Sequence, residues 1–165
     1  MNVRIRDATP ADEEFLWTML TYAASMDPGG AASVAAAKSD DNLGSYVKGW
    51  MRAGDLGVVA VDGSGAPLGA AWLRLLEGPP MPFKVATPEL PELAIAVEPR
   101  ARGQKLGASM LEELFRRSSG RYPAIVLSVR ATNPSIHLYE RAGFVEASRI
   151  PNRVGGDSIV MRRAL

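Results

Sequence analysis

Apolar positions along this chain switch between two periods, and the switches mark its elements. Val3-Arg4-Ile5-Arg6 alternates and predicts a first strand, with Asp7-Ala8-Thr9-Pro10 turning out of it. Phe15, Leu16, Met19, Leu20 and Ala23 then recur at helical spacing. Thr9 and Asp12 are the candidate caps of that helix, Pro10 suits its first turn, and it should end near Met26, before Pro28-Gly29-Gly30. The stretch 27–41 is rich in Ala, Ser and Gly and predicts a mobile or weakly helical connection, with a helical turn or two over 31–38. A second helix should start at Asn42 or Ser45 and run through Tyr46, Val47, Trp50 and Met51, stopped by Arg52-Ala53-Gly54-Asp55.

Leu56 to Val61 and Pro67 to Leu75 read as the two strands of a hairpin around Asp62-Gly63-Ser64-Gly65-Ala66. That glycine-rich loop joins strand to strand and opens no helix, which argues against a phosphate cradle. Residues 77–88 hold four prolines and predict an irregular loop, in which Met81 and Phe83 either touch a ligand or plug a surface groove. Leu93-Ala94-Ile95-Ala96-Val97, between Pro91 and Pro99, reads as a buried strand. A strongly amphipathic helix follows from Leu106 to about Ser119, with Gly120 as its stop. Ala124 to Val129 is continuously apolar and predicts a buried strand. A short helix over Ile136–Ala142 ends at Gly143, and Phe144-Val145 opens a strand that returns through a Gly155-Gly156-Asp157 turn to a last strand over Ser158–Arg162. The order β-α-α-β-β-β-α-β-α-β-β predicts a mixed α/β (α+β) fold, with helices packed on a mainly antiparallel twisted sheet. A chain of 165 residues suits one domain over 1–165.

Composition changes this picture mainly by exclusion. The formal net charge is +1, so nothing in the bulk electrostatics favours nucleic acid or an anionic membrane. There are no cysteines, which removes disulfides, thiolate metal sites and a cysteine nucleophile. The one histidine, His137, has no neighbouring ligand cluster, so no metal site is expected. No apolar run reaches membrane-spanning length and the N-terminus lacks a signal-like pattern, so the expected location is the cytoplasm.

Chemistry concentrates between the buried strand at 93–97 and the helix that follows. Arg100, Arg102, Gly103, Gln104, Lys105 and Gly107 form a basic, glycine-containing turn into a helix N-terminus. Unpaired amides, a partial positive charge and cationic side chains together make an anion site, best suited to phosphate. Neither the dinucleotide pattern Gly-x-Gly-x-x-Gly nor the P-loop pattern fits it.

Val97-x-Pro99-x-x-Arg102-Gly103-x-x-x-Gly107 resembles the acetyl-CoA-binding motif of the GNAT family of N-acetyltransferases, commonly written Arg/Gln-x-x-Gly-x-Gly/Ala. Lys105 stands where that pattern has its first glycine; its Cβ should obstruct close backbone approach or force the turn to adjust, while its charge suits a diphosphate. A second segment, Asn133-Pro-Ser-Ile-His137-Leu138-Tyr139-Glu140-Arg-Ala-Gly143-Phe144, is similar to the family's Asn-x5-6-Leu-Tyr-Glu-x-x-Gly-Phe. The resemblance implies transfer of an acetyl group from acetyl-CoA to a primary amine, small molecule or peptide, by direct attack in a ternary complex. It places the pyrophosphate on Arg102, Gly103, Gln104, Lys105, Leu106, Gly107 and Ala108, and the pantetheine along Ile95, Ala96 and Val97. It also implies that the strand 93–97 carries a bulge and splays from the strand 124–129. Homodimers are common among such relatives, and the residues leave the oligomeric state open.

Acetyl transfer needs a neutral amine and a proton for the departing thiolate. Tyr139 matches the family's proton donor; the structural alternative is a core tyrosine. Asn133 either bonds the pantetheine or caps its helix. Glu92 is the first candidate base and Glu89 the second; either is otherwise a strand-end carboxylate. His137 sits two residues before Tyr139, so on a helix the two side chains diverge. Tyr46, Trp50 and Trp17 are candidate walls of the acceptor site, with core packing preferred for each. The alternatives are a non-catalytic acyl-CoA-binding regulatory module of the same fold, kept open by Lys105, and another α/β protein that binds a nucleotide.

Overall fold

The computed structural model describes residues 2–24, 31–76, 90–151 and 156–165. The expectations for Met26, the 77–88 loop with Met81 and Phe83, Glu89 and Gly155 lie outside them. Seven strands form one sheet: β1 (Arg4–Asp7), β2 (Leu56–Val61), β3 (Pro67–Arg74), β4 (Glu92–Val97), β5 (Ala124–Arg130), β6 (Val145–Pro151) and β7 (Asp157–Ala164). Their spatial order is β1-β2-β3-β4-β5-β7-β6, and every pair is antiparallel except β4 with β5. The helices are α1 (Glu13–Ala23), α2 (Ala31–Ser39), α3 (Asp41–Gly44), α4 (Leu106–Ser118) and α5 (Ile136–Arg141). The predicted fold class is the one observed, and the element order matches it except for one further helix, α2, before β2.

Strand alternation divides the core into two layers. On one face Leu16, Met19 and Leu20 of α1 pack with Val59, Trp72 and Ala94. On the other, Met110, Leu111 and Leu114 of α4 pack with Ala71, Leu93, Ile125 and Leu127. The spacing that predicts α4 is the stripe it buries.

Two expectations for the region before β2 need correction. The stretch 31–39 is a nine-residue helix, α2. The helix after it does not reach Met51: α3 ends at Gly44, and its cap is Asp40, whose carboxylate accepts from the amides of Asn42 (2.9 Å) and Leu43 (3.0 Å). The reason lies on β3. Arg74 donates to the carbonyls of Ser45 (3.2 Å) and Lys48 (2.6 Å). Its Nε and Nη2 also grip Asp55 at 3.0 and 2.7 Å, with both side chains 1% exposed. The second Asp55 oxygen accepts from the amides of Met51 (2.9 Å) and Arg52 (3.0 Å). A buried ion pair thus satisfies the backbone groups that a continuing helix would have paired within itself. Trp72 adds a bond from its indole to the Tyr46 carbonyl at 3.0 Å.

The expected bulge in β4 is absent. β4 pairs with β3 from Arg74 opposite Glu92 to Gly69 opposite Val97 without a register shift. Gly69 permits this closeness, since a Cβ there would lie 2.9 Å from the Ala96 carbonyl oxygen. The splay is present without the bulge. β4 and β5 share one register pair, Glu92 with Val126, whereas β5 is paired along its whole length with β7. Each strand follows its antiparallel partner, and the sheet opens between them toward their C-terminal ends.

Replacing Arg74 by Met should leave Asp55 buried and unpaired and lower unfolding stability by about 3–5 kcal/mol. Urea denaturation followed by circular dichroism would measure it, and a loss under about 1 kcal/mol would contradict the strut role given to this pair.

Candidate functional site

The turn between β4 and α4 is pinned from below. Ala101 and Leu106 are buried with Leu68 in a small apolar cluster, which leaves the intervening residues 102–105 exposed. After a single 3-10 turn over Pro99–Ala101, Arg102 is extended, Gly103 has φ +81° and Lys105 has φ +61°, ψ +24°. Lys105 therefore does not displace the turn. It adopts the left-handed conformation that glycine takes freely, at a strain of about 1–2 kcal/mol. The two glycines have different roles. Gly103 needs its positive φ and has open space where a Cβ would stand. At Gly107 a Cβ would lie 3.1 Å from Leu138, so this glycine lets α4 and α5 approach each other.

The cations of the turn are not equivalent. Arg100 pairs with Glu98 at 2.7 Å, and the Arg102 guanidinium lies 5.7 Å from the Tyr22 ring centre on α1. Lys105 makes no ion pair among the described residues. Gln104 and Ala108 are exposed, while Leu106 is buried in the cluster beneath the turn.

Where β4 and β5 part lies a cavity of about 370 Å3. Glu92, Ile95, Asn133 and Tyr139 all line it, whereas Ala96, Val97 and the residues of the turn do not. Leu93, Ile95, Leu127 and Val129 belong to the core layer under α4, as does Tyr139, so these side chains stand on one face of the sheet. Ala94 belongs to the α1 layer, and alternation puts Glu92 on that side, beside Tyr46. The two candidate proton-transfer residues thus meet one cavity from opposite faces.

Tyr139 rests edge-on against Phe144, ring centres 6.0 Å apart. Burial pushes its phenol up to about 12, which keeps it a proton donor at neutral pH. Asn133 caps its own turn, its Oδ1 accepting from the Ser135 amide at 2.8 Å, and still lines the cavity. Glu92 is 3% exposed and accepts a hydrogen bond from the Tyr46 hydroxyl. Burial, then the neighbouring Glu92 charge, raises the Tyr46 phenol well above its ordinary value, so Tyr46 is the donor of that bond.

The three aromatic candidates separate. Trp17 and Trp50 are core residues, Trp50 donating to the Thr9 carbonyl at 3.0 Å. Tyr46 is buried in the core layer under α1 and also lines the cavity against Glu92. Asp40, Ser128, Arg130 and Ser158 line it too, and no motif marks them. His137 is 73% exposed, 3.6 Å from Glu140 and outside the cavity. No group of three or more potential metal ligands occurs among the described residues, and no helix among them is long and apolar enough to cross a membrane.

A model of the GNAT acetyltransferase domain matches residues 53–146. No curated protein matches the chain in sequence. Solved structures share the fold. A phosphinothricin acetyltransferase of the GNAT superfamily from Sinorhizobium meliloti, solved with acetyl-CoA, is 24% identical, with TM-score 0.67 over 100% of this chain and 89% of that one. A GCN5-related N-acetyltransferase from Kribbella flavida is 22% identical, with TM-score 0.68 over 99% and 98%. A variant of the Vibrio cholerae spermidine N-acetyltransferase SpeG is 17% identical, with TM-score 0.64 over 99% and 94%.

The left-handed strain at Lys105 is directly measurable. Lys105→Gly should stabilise the fold by up to about 1 kcal/mol, the relieved strain less the chain entropy of glycine. Lys105→Val should destabilise it by about 1–2 kcal/mol, because a branched Cβ tolerates positive φ poorly. Chemical denaturation that ranks the three in any other order would contradict the assigned conformation.

Proposed function

The chain belongs to the GNAT acetyltransferase family, its match to the domain model spanning more than half its length, and from that premise we propose that it transfers an acetyl group from acetyl-CoA to a primary amine by direct attack in a ternary complex. The observation that carries this is the cavity at the parting of β4 and β5, with a carboxylate on one face and a half-buried phenol on the other. The solved relative that holds acetyl-CoA has the same fold, which supports the choice of acyl donor. Lys105 does not favour the non-catalytic alternative, because the turn keeps the conformation a glycine would take.

In this proposal the exposed amides at the start of α4, with Arg102 and Lys105, hold the pyrophosphate. The edge of β4 beyond Glu92, which has no strand partner on the β5 side, receives the pantetheine along Ile95 to Val97, with Asn133 beside it. Acetyl-CoA, when bound, supplies the activated thioester. Glu92 accepts the proton that the amine nitrogen loses as its bond to the carbonyl carbon forms. Tyr139 gives its hydroxyl proton to the sulfur as the carbon–sulfur bond breaks. Exchange with water then returns both groups to their starting states. Tyr46 orients Glu92 through its hydrogen bond.

With acetyl-CoA, an amine panel and a thiol-release assay, Tyr139→Phe should lower kcat by about 100-fold or more, and Glu92→Gln should lower kcat/KM to a similar degree. An undiminished Tyr139→Phe rate at saturation, with chemistry limiting, would remove Tyr139 as the acid. The pH profile adds a second check. A phenol held near 12 stays protonated as pH rises, so kcat should not fall below about pH 10 while the fold persists. A decline setting in by pH 8 would contradict the burial of Tyr139.

A further inference from the structure

The acceptor half of the cavity carries a charge that the transfer step does not use. Leu127 and Val129 lie in the core layer under α4, so alternation turns Ser128 and Arg130 to the opposite face, the face of Glu92 and Tyr46. Arg130 stands four residues beyond Val126, the register partner of Glu92, which is about 13 Å along the strand. Ser158 sits directly across from Arg130 on β7. All three line the cavity. Arg130 is the only cation among the described lining residues, it is exposed, and it forms no ion pair among the described residues. The residues of the basic turn at the start of α4 do not line this cavity.

We propose that Arg130, flanked by Ser128 and Ser158, is the anion-binding end of the acceptor subsite, and that the acceptor is a small primary amine that also carries a carboxylate or comparable oxyanion. The proposal rests on the acetyltransferase function above. A guanidinium at one end of the subsite and the Glu92 carboxylate at the other match the two ends of such a molecule, and the fork of Arg130 suits a planar oxyanion. A polycation places a positive charge against Arg130 and is disfavoured.

Matched acceptors isolate the oxyanion: L-leucine with isopentylamine, 6-aminohexanoate with hexylamine, and spermidine as a polycation. For at least one pair the acid should exceed its amine in kcat/KM by about tenfold or more. Arg130→Gln should collapse that ratio toward one with KM for acetyl-CoA unchanged, and Arg130→Lys should keep part of it. Preference for spermidine or for both simple amines would overturn the proposal. So would an unchanged ratio in Arg130→Gln, or a rise confined to KM for acetyl-CoA. Titrating the same compounds calorimetrically into the coenzyme A-loaded protein reads binding without turnover. Acids that bind about tenfold more weakly to Arg130→Gln support the proposal, and no binding of either acid overturns it. Binding through Arg130 with no thiol release in any reaction would fail the catalytic function and leave the anion site standing.

Discussion

The structure depends on an unfinished strand pairing. β4 is committed to β3 through six register pairs and β5 to β7 through seven, yet the two meet at one position, Glu92 with Val126. Backbone groups left without a partner inside a sheet are costly unless water or a ligand takes them. The parting therefore creates both a cavity and a row of donors and acceptors along its edge. No bulge is needed for this, because the divergence follows from two parallel neighbours each held by an antiparallel strand on its far side.

A second constraint sets what stands around that cavity. The segment 45–52 has few internal hydrogen bonds of its own, and Arg74 with Asp55 supplies what it lacks. A buried ion pair is seldom the most stabilising filling for a core. Here it fixes a non-helical turn, and that turn delivers Tyr46 to Glu92. Arg74 itself lies opposite Glu92 on the neighbouring strand. The Tyr46 wall of the cavity and the candidate base are thereby held by one polar network, in which Trp72 also takes part.

What could be seen in the sequence was what local spacing determines. The apolar stripe of Leu106, Met110, Leu111 and Leu114 predicts α4 because a helix buries residues of its own near neighbourhood. The basic turn and the Asn133–Phe144 segment are likewise contiguous, and four of the predicted site residues do line one cavity. The failures are long-range. Tyr46 and Glu92 are 46 residues apart, and nothing near either announces the other. The carbonyls of Ser45 and Lys48 are claimed from 29 and 26 residues away, which ended the second helix earlier than its spacing implied. Arg130 gains meaning only once alternation on β5 and the position of α4 fix its face. Lys105, an obstruction on paper, turned out to occupy the glycine conformation.

Amide hydrogen exchange with and without coenzyme A tests the central claim most directly, because that claim concerns main-chain groups. The account predicts that the ligand slows exchange in two stretches together, Ile95–Val97 on β4 and Gly103–Ala108 at the start of α4, and leaves β1 and β2 unchanged. Protection confined to other parts of the chain, or of the turn without β4, would contradict it.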